Sequence, residues 1–347
     1  MNKIIISVNP KISQKEWEDY VFKHPEGNVY HLPAWKEVLE ESFANYQPFY
    51  LFAFDAKKKL SGILPLFQVR SFLTGKRMVS LPFSYVCGPI ADSDEIGKIL
   101  LKEAKKICQK NQSDYLEIRC FNPKNIRWQL SQYYSTYRLL LFQDPNRILQ
   151  KFDSEIRRKI RKGQKMGARV IQDNSQEGLR TFYRLNLLNK KSLGVPAHPL
   201  EFMEKIRQKM AKYYRLYLVK VDNLPIAGGI RFFYKKTALA VYGAADRRYL
   251  NFFPNNLRDW QAIVDACQEG YAVFDFGRVP QNDPRQASYK KDWGAKEQKL
   301  AYYYPSRPKK LIHERNSFSY HLISQIWKKL PLGAAQLLGE NLFKHFD

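Results

Sequence analysis

The sequence predicts an α/β protein whose mixed sheets are divided between two domains. Its 347 residues exceed what one hydrophobic core usually supports. Apolar residues make up 44% of the chain and aromatic residues 14%, which is enough to build two cores. In addition, one order of strands and a helix occurs twice along the chain. We therefore expect domains at residues 1–145 and 146–305, followed by an amphipathic helical tail at 306–347.

The repeated pattern consists of three strands, a helix and a fourth strand, read from short apolar runs that turn residues separate. In the first half, strands are predicted at 49–54, 62–69, 78–82 and 115–119, with a helix at 95–110. In the second half, strands are predicted at 216–221, 226–234, 238–242 and 272–276, with a helix at 256–269. This repetition indicates a structural duplication.

The net charge is strongly positive. Lysine and arginine number 58 against 33 aspartate and glutamate residues, a formal charge of +25. Such a field attracts polyanions, which include RNA, DNA, an anionic membrane face or a phosphorylated substrate. The charge alone does not decide among these partners, and it carries no information about the fold.

Six of these positive charges lie close together between the halves, in SEIRRKIRKGQKMG at 154–167. Ile156, Ile160 and Met166 recur at spacings that predict a helix with its apolar side on the protein. Most charge runs are solvated helix faces, and an anion-binding role is the alternative. The residues that we assign to anion binding are Arg157, Arg158, Arg161, Lys162 and Lys165.

Four widely separated cysteines lack the spacing of a zinc site or a disulfide framework, so we expect no metal and buried thiols in a reducing compartment. The N-terminal apolar run of three isoleucines is too short for a signal peptide, and no segment approaches the ~20 residues of a membrane span. We expect a cytoplasmic protein. The apolar residues of the tail recur at helical spacing, so the tail either packs on the body or lies at the inner face of the membrane.

Two features near the predicted sheet edge of the second half suit a binding site. Asn255 or Asn256 in FPNNL is placed to cap the following helix, whose first N–H groups can bind an anion, although a cap needs no ligand. The strand AVFDF brings Asp275 to the carboxyl edge of the sheet, with Arg278 just beyond. These two side chains either form part of a site or simply pair with each other.

Lys290 follows in YKKDWG, between Tyr289 and Trp293. A lysine beside an aromatic wall and near a reacting carbonyl stabilises a developing oxyanion, or carries a proton if desolvation lowers its pKa. A solvated surface lysine is the commoner outcome for such a residue.

Six segments in order, however, make the chain resemble the FemAB-type aminoacyltransferases, in particular the FemAB-like branch associated with exopolysaccharide and exosortase systems. The resemblance spans about residues 28–304. The segments that carry it are HLPAWKEVL, SGILPLF, SLPFSYVCGPI, IAGGIRFFYKKTALAVYGA, FPNNLRDW and FDFGR…YKKDWGA.

The resemblance implies two tandem acetyltransferase-like (GNAT-type) domains that transfer an aminoacyl or acyl group without a metal or bound cofactor. The family's lysine in a late F-K-x-x-F-G stretch falls on Lys290, which with Asp275 is our catalytic assignment. Two features depart from related enzymes: the long helical arm of some members and the R-x-x-G-x-G/A loop of ordinary acetyltransferases are not visible in the sequence. The assigned substrate-binding residues are Arg278, Tyr289, Trp293, Asn255, Asn256 and, by the duplication, Arg119.

We therefore expect an acyltransferase whose donor is aminoacyl-tRNA or a thioester of coenzyme A or an acyl carrier. The acceptor would be an amine or hydroxyl of a peptidoglycan, polysaccharide or lipid precursor of the cell envelope. Contacts with tRNA and with an anionic membrane fit the charge, whereas we expect no DNA partner. The alternative is a non-catalytic protein that binds RNA or an anionic membrane with the same scaffold.

Overall fold

The computed structural model describes residues 4–72, 75–306 and 318–345. Up to Tyr134 the chain forms three α-helices and nine strands among these residues. The strands are β1 (Ile5–Val8), β2 (Tyr46–Pro48), β3 (Leu51–Phe54), β4 (Leu60–Leu64), β5 (Phe67–Ser71), β6 (Gly75–Val79), β7 (Ile90–Ala91), β8 (Tyr115–Cys120) and β9 (Gln129–Ser131). The helices are α1 (Gln14–Lys23), α2 (Pro33–Ser42) and α3 (Asp94–Lys110).

The rest of the described chain contains eight strands and eight α-helices. The strands are β10 (Tyr134–Leu140), β11 (Arg169–Gln172), β12 (Tyr214–Val221), β13 (Leu224–Tyr234), β14 (Thr237–Ala245), β15 (Val273–Pro280), β16 (Lys296–Lys299) and β17 (Ala301–Tyr304). The helices are α4 (Pro145–Leu149), α5 (Ser154–Lys165), α6 (Gln176–Leu193), α7 (Leu200–Lys209), α8 (Pro254–Gln268), α9 (Pro284–Lys291), α10 (Phe318–Lys329) and α11 (Leu332–Leu342).

The chain divides into two compact units, and their boundaries differ from the predicted domains. The first unit takes the chain up to Tyr134 and also strand β17, which pairs with β8 and β9. The second unit takes residues 135–298 together with α10 and α11. Strand β10 thus lies in the second unit, because it lies beside β15 in the sheet, and β17 lies in the first unit, because it pairs with β8 and β9. These partner strands are distant in sequence.

The first unit contains a four-stranded sheet of order β1-β3-β4-β7 and a six-stranded sheet of order β2-β5-β6-β8-β17-β9. The strand predicted at 62–69 is in fact two strands, β4 and β5, which belong to different sheets. Pro65 lies at the break, where its missing N–H cannot continue a ladder. Helix α3 begins at the N-cap Ser93 and leads into β8, which pairs in parallel with β6.

The second unit has one seven-stranded sheet of order β11-β12-β13-β14-β15-β10-β16. Strands β12, β13 and β14 form an antiparallel meander, and helix α8 then leads into β15, which pairs in parallel with β14. In the first unit, β3 pairs with β4 and β5 with β6 in two separate sheets, and helix α3 then leads into β8, which pairs in parallel with β6. The mixed α/β architecture and the order of antiparallel strands, helix and parallel strand are as the sequence predicts, whereas the three-strand meander forms only in the second unit.

The tail helices pack on α6 of the second unit. Helix α11 turns its small residues inward: Ala335 and Gly339 are buried, whereas Leu337 and Leu338 are exposed. Lys191 on α6 donates to the backbone oxygen of Lys328 at 2.9 Å. Docking on the body, one of the two outcomes considered for the tail, is thus observed, and it leaves leucines on the outer face of α11.

Candidate active site

Lys290 is buried near the end of α9, with 7% of its surface exposed. The helix begins where Asp283 caps it by accepting from the Gln286 amide, and Pro284 occupies its first turn. The Lys290 Nζ donates to the backbone oxygen of Gly277 at 2.7 Å. Since an ammonium has three N–H donors, two remain to meet an acceptor on a substrate.

Burial lowers the pKa of Lys290 from 10.5 to about 8. The nearby carboxylates of Asp275 and Asp259 oppose this shift because they favour the ammonium form. The result is an amine that is still mainly charged at neutral pH but titrates within reach of it. Such a group suits either electrostatic stabilisation or proton transfer.

Asp275 lies on β15 with 1% of its surface exposed. Its Oδ1 accepts from Thr136 Oγ1 at 2.5 Å and from the Gly277 amide at 2.8 Å, and its Oδ2 lies 3.9 Å from Arg138 Nε. The carboxylate therefore holds the backbone turn at Gly277 whose oxygen receives Lys290. Thr136 and Arg138 were not among the predicted site residues, because strand β10 was not predicted.

A buried ionic cluster lies next to Lys290 and was also missed. Asp259 on α8 forms ion pairs with Arg231 and Arg258, both of them buried, and accepts from the Tyr289 hydroxyl at 2.9 Å. The two guanidinium groups lower the pKa of Asp259 to about 2 against the desolvation that burial imposes. Tyr289 directly precedes Lys290, so its hydrogen bond to Asp259 also restrains the position of Lys290.

The parallel pairing of β14 with β15 covers only Thr237–Leu239 and Val273–Asp275. Both strands continue, to Ala245 and Pro280 respectively. Gly277 has a φ of +75°, and a Cβ there would lie 2.8 Å from the Ala240 oxygen, so only glycine fits this turn. Gly277, whose backbone oxygen accepts from Lys290, thus lies just past the point where β14 and β15 stop pairing.

Helix α8 begins earlier than its predicted cap. Phe253 is the N-cap, with a left-handed backbone, and Pro254 is the first helical residue. Asn255 and Asn256 lie inside the first turn, so neither caps the helix; proline takes that place because its missing N–H costs nothing there. Within the part of the chain that the structure describes, the buried Nδ2 of Asn256 has no hydrogen-bond partner.

The basic helix α5 packs beside this end of α8. Gly163 lies against the Phe252 backbone and Leu257, and Lys162 Nζ lies 5.6 Å from the centre of the Phe253 ring. Part of the positive run is compensated, because Glu155 pairs with Arg158 and lies 3.5 Å from Lys159. The assigned residues without an ion pair to a described carboxylate are Arg157, Arg161, Lys162 and Lys165.

Three other assigned residues lie in different settings. Trp293 is fully buried in the core, with its ring centre 4.9 Å from that of Phe152, so it supports the site and does not line it. Arg119 lies in the first unit, buried, where it pairs with Glu117 and donates to backbone oxygens. Arg278 is half-buried directly after Gly277.

Comparisons with known proteins identify the fold. Residues 150–291 match the family described as acetyltransferase (GNAT) domain. FemX has a similar structure, with 16% identity, 91% of this chain and 100% of FemX covered, and a TM-score of 0.68. No curated protein sequence matches significantly.

Two further solved structures are similar. The C-terminal domain of a putative lysylphosphatidylglycerol synthetase from Agrobacterium fabrum has 9% identity, 95% and 96% of the two chains covered and a TM-score of 0.57. A tandem GNAT protein from the clavulanic acid biosynthesis pathway has 9% identity, 88% and 99% covered and a TM-score of 0.56. The predicted FemAB-like fold of tandem GNAT domains is thereby confirmed, and the exosortase branch stays a prediction.

Proposed function

We propose that this protein is an acyltransferase that moves an acyl or aminoacyl group onto an amine or hydroxyl of a cell-envelope precursor. The observation that carries the proposal is the buried Lys290 ammonium at the separation of β14 and β15, within a domain that matches the GNAT family. A charged lysine in the interior destabilises the fold, so its retention there favours a chemical role.

In the proposed reaction, the acceptor attacks the carbonyl carbon of a donor thioester or ester. A C–N or C–O bond forms while the carbonyl electrons move to oxygen, and collapse of this intermediate breaks the bond to the carrier. The proton of the acceptor is taken up by the leaving thiolate or alkoxide. Lys290, charged at neutral pH, donates to the carbonyl oxygen while it is negative. Asp275 holds Gly277, and so positions the lysine.

The donor carries anionic phosphates in either form, acyl-CoA or aminoacyl-tRNA. The first turn of α8 offers unpaired backbone N–H groups and the Asn256 amide, and Lys162 lies next to the Phe253 cap. We assign the phosphates to this end of α8, with Arg161 and Lys165 adding to the local field. Among the residues described, no cluster of His, Cys, Asp or Glu could hold a metal ion.

The acceptor class draws support from FemX and from the lysylphosphatidylglycerol synthetase domain, both of which share the fold. The outer face of α11 favours work at a membrane surface, because Leu337 and Leu338 are 66% and 47% exposed and Lys328 and Lys329 are exposed nearby in sequence. No helix within residues 4–72, 75–306 and 318–345 is long and apolar enough to span a membrane.

Incubation with labelled acyl-CoA or charged tRNA and a panel of envelope precursors tests the proposal. Wild-type protein should form a covalent acyl product, and Lys290→Met should form it at least ~10²-fold more slowly. Salt-sensitive binding of tRNA or vesicles without any product would contradict the proposal and favour the non-catalytic alternative.

A further inference from the structure

Three polar side chains gather over the end of β14, on α6 and the segment that follows it. Asn186 and Lys190 are one helical turn apart on α6, and His198 lies just before α7. The His198 ring is 4.7 Å from the ring of Tyr242 on β14, centre to centre. The Asn189 side chain, between the other two on α6, donates to the Ala245 oxygen at 3.5 Å.

Two of these side chains contain buried polar atoms with unmet hydrogen-bonding capacity. Asn186 is 2% exposed, and neither its Nδ2 nor the Nδ1 of His198 has a hydrogen-bond partner in the described parts of the chain. Burial of a polar atom without a partner is unfavourable, and native proteins satisfy nearly all such atoms. A ligand that accepts hydrogen bonds would give a partner to both nitrogen atoms.

Lys190 adds a positive charge beside His198. No described carboxylate forms an ion pair with it, and burial lowers its pKa. Burial and the charge of Lys190 hold the pKa of His198 well below 6.5. Glu340 on α11 accepts from the hydroxyl of Tyr183, which lies about two turns before Lys190 on α6, at 3.5 Å. Lys191, by contrast, donates to the Lys328 backbone on the tail.

Asn186, Lys190 and His198 lie on the same side of the sheet as Asp275. Phe274 and Phe276 belong to the core that packs against α8, so the side chain between them projects from the opposite face. On β13, Gly228 faces Phe182 of α6. Ile230 is two residues further along and therefore lies on the same face, and it pairs with Tyr242 on β14. A substrate held by these side chains would therefore lie on the sheet face that carries Asp275.

We propose that Asn186, Lys190 and His198 bind an oxyanion, a phosphate or carboxylate of the acceptor substrate, and hold that substrate on the sheet face that carries Asp275. This role rests on the proposed acyltransferase function, whereas the oxyanion binding itself does not. The ammonium, the amide and the imidazole together supply donors to several oxygens of one anion.

The binding test titrates the full chain with inorganic pyrophosphate, inorganic phosphate and acetate by calorimetry. Lys190→Met should weaken the preferred anion at least tenfold, while Lys191→Met, which removes the same charge from the next residue, should change affinity less than twofold. A preference for either phosphate indicates a phosphorylated acceptor, and a preference for acetate indicates a carboxylate. Absence of binding by every anion, or equal loss in both variants, would overturn the proposal.

Asn186→Leu gives an independent readout, since leucine has nearly the shape of asparagine without its amide. We expect this variant to raise the unfolding midpoint of the free protein and to weaken the anion at least tenfold. A lower midpoint with unchanged anion affinity would show that Asn186 is structural and would overturn its place in the site.

Activity measurements separate this proposal from the proposed function. Lys190→Met should raise the KM for the acceptor and leave kcat within about threefold, whereas Lys290→Met should lower kcat and bind the anion as wild type does. If the wild-type protein transfers no acyl group, calorimetry still decides whether Asn186, Lys190 and His198 bind oxyanions. An unchanged acceptor KM in an active Lys190→Met protein would refute the role in substrate positioning.

Discussion

Replacement of Lys290 by methionine should stabilise the fold and remove the activity at the same time. Burial holds the pKa of Lys290 at about 8, about 2.5 units below its ordinary 10.5. At 1.36 kcal/mol per unit, a charged Lys290 destabilises the folded state by roughly 3 kcal/mol at pH 7. Loss of its hydrogen bond to Gly277 offsets about 1 kcal/mol. The net expectation is a gain of about 2 kcal/mol.

The gain should depend on pH in a defined direction. Below about pH 8, both folded and unfolded states bind the proton, so the full penalty of the charge is present in wild type. Between about 8 and 10.5 only the unfolded state binds it, and wild-type stability therefore rises relative to the variant. Urea unfolding of both proteins at pH 7 and pH 10 measures this difference.

The same substitution should lower kcat by 10²- to 10³-fold, as loss of one oxyanion donor usually does. Since the ammonium is the active form in the proposed mechanism, wild-type kcat/KM should fall as pH rises through about 8. A variant that is less stable than wild type at pH 7, or one that keeps wild-type kcat, would refute the reasoning. An activity that rises through pH 8 would instead assign proton transfer to the neutral amine.

Three further changes have defined outcomes. Asp259→Asn should destabilise the protein by about 3–5 kcal/mol in urea unfolding, because it leaves two buried guanidinium groups without a carboxylate. Arg161→Gln with Lys162→Gln should raise the donor KM several-fold and reduce its salt dependence in steady-state assays, with kcat unchanged. Leu337→Ser with Leu338→Ser should abolish flotation with anionic vesicles and leave the unfolding midpoint unchanged, because both leucines are exposed.

Matched controls come from exposed residues elsewhere in the chain. Glu155→Gln, which breaks an exposed ion pair, should have little effect on unfolding, and an effect as large as that of Asp259→Asn would contradict the buried-cluster argument. Lys102→Gln with Lys105→Gln removes two positive charges from α3, the same number that Arg161→Gln with Lys162→Gln removes from α5. If both double variants raise the donor KM equally, a local role for α5 is excluded. Leu130→Ser with Leu140→Ser, at two exposed leucines elsewhere, should leave flotation intact. If the Leu337→Ser, Leu338→Ser variant still floats with the vesicles, the proposal that α11 binds a membrane surface is contradicted.

Local patterns predicted the elements around the site well, for specific reasons. Strands β12 to β15 and helix α8 have apolar runs with turn residues between them, and these depend on near neighbours in sequence. The place of Lys290 came from a resemblance, since the letters YKKDWG alone favour a solvated lysine. Its 7% exposure depends on packing that no local pattern contains.

The missed parts of the site come from long-range pairing. Thr136 and Arg138 reach Asp275 only because β10 lies beside β15, although some 140 residues separate them in sequence. Arg231 and Asp259 are ordinary charged residues until the meander and α8 bring them together. The cap of α8 was misplaced because a left-handed phenylalanine is rare and Pro254 starts the helix before the asparagines.

A crystal structure with a non-reactive donor analogue, a ketone or amide in place of the thioester or ester, tests the central claim most directly. The Lys290 Nζ should lie 2.7–3.1 Å from the oxygen at the position of the reacting carbonyl, as an oxyanion donor must. An analogue bound with that oxygen more than about 6 Å from Nζ, or with Lys290 still shielded from it by protein, would contradict the assignment of this lysine to the transfer step.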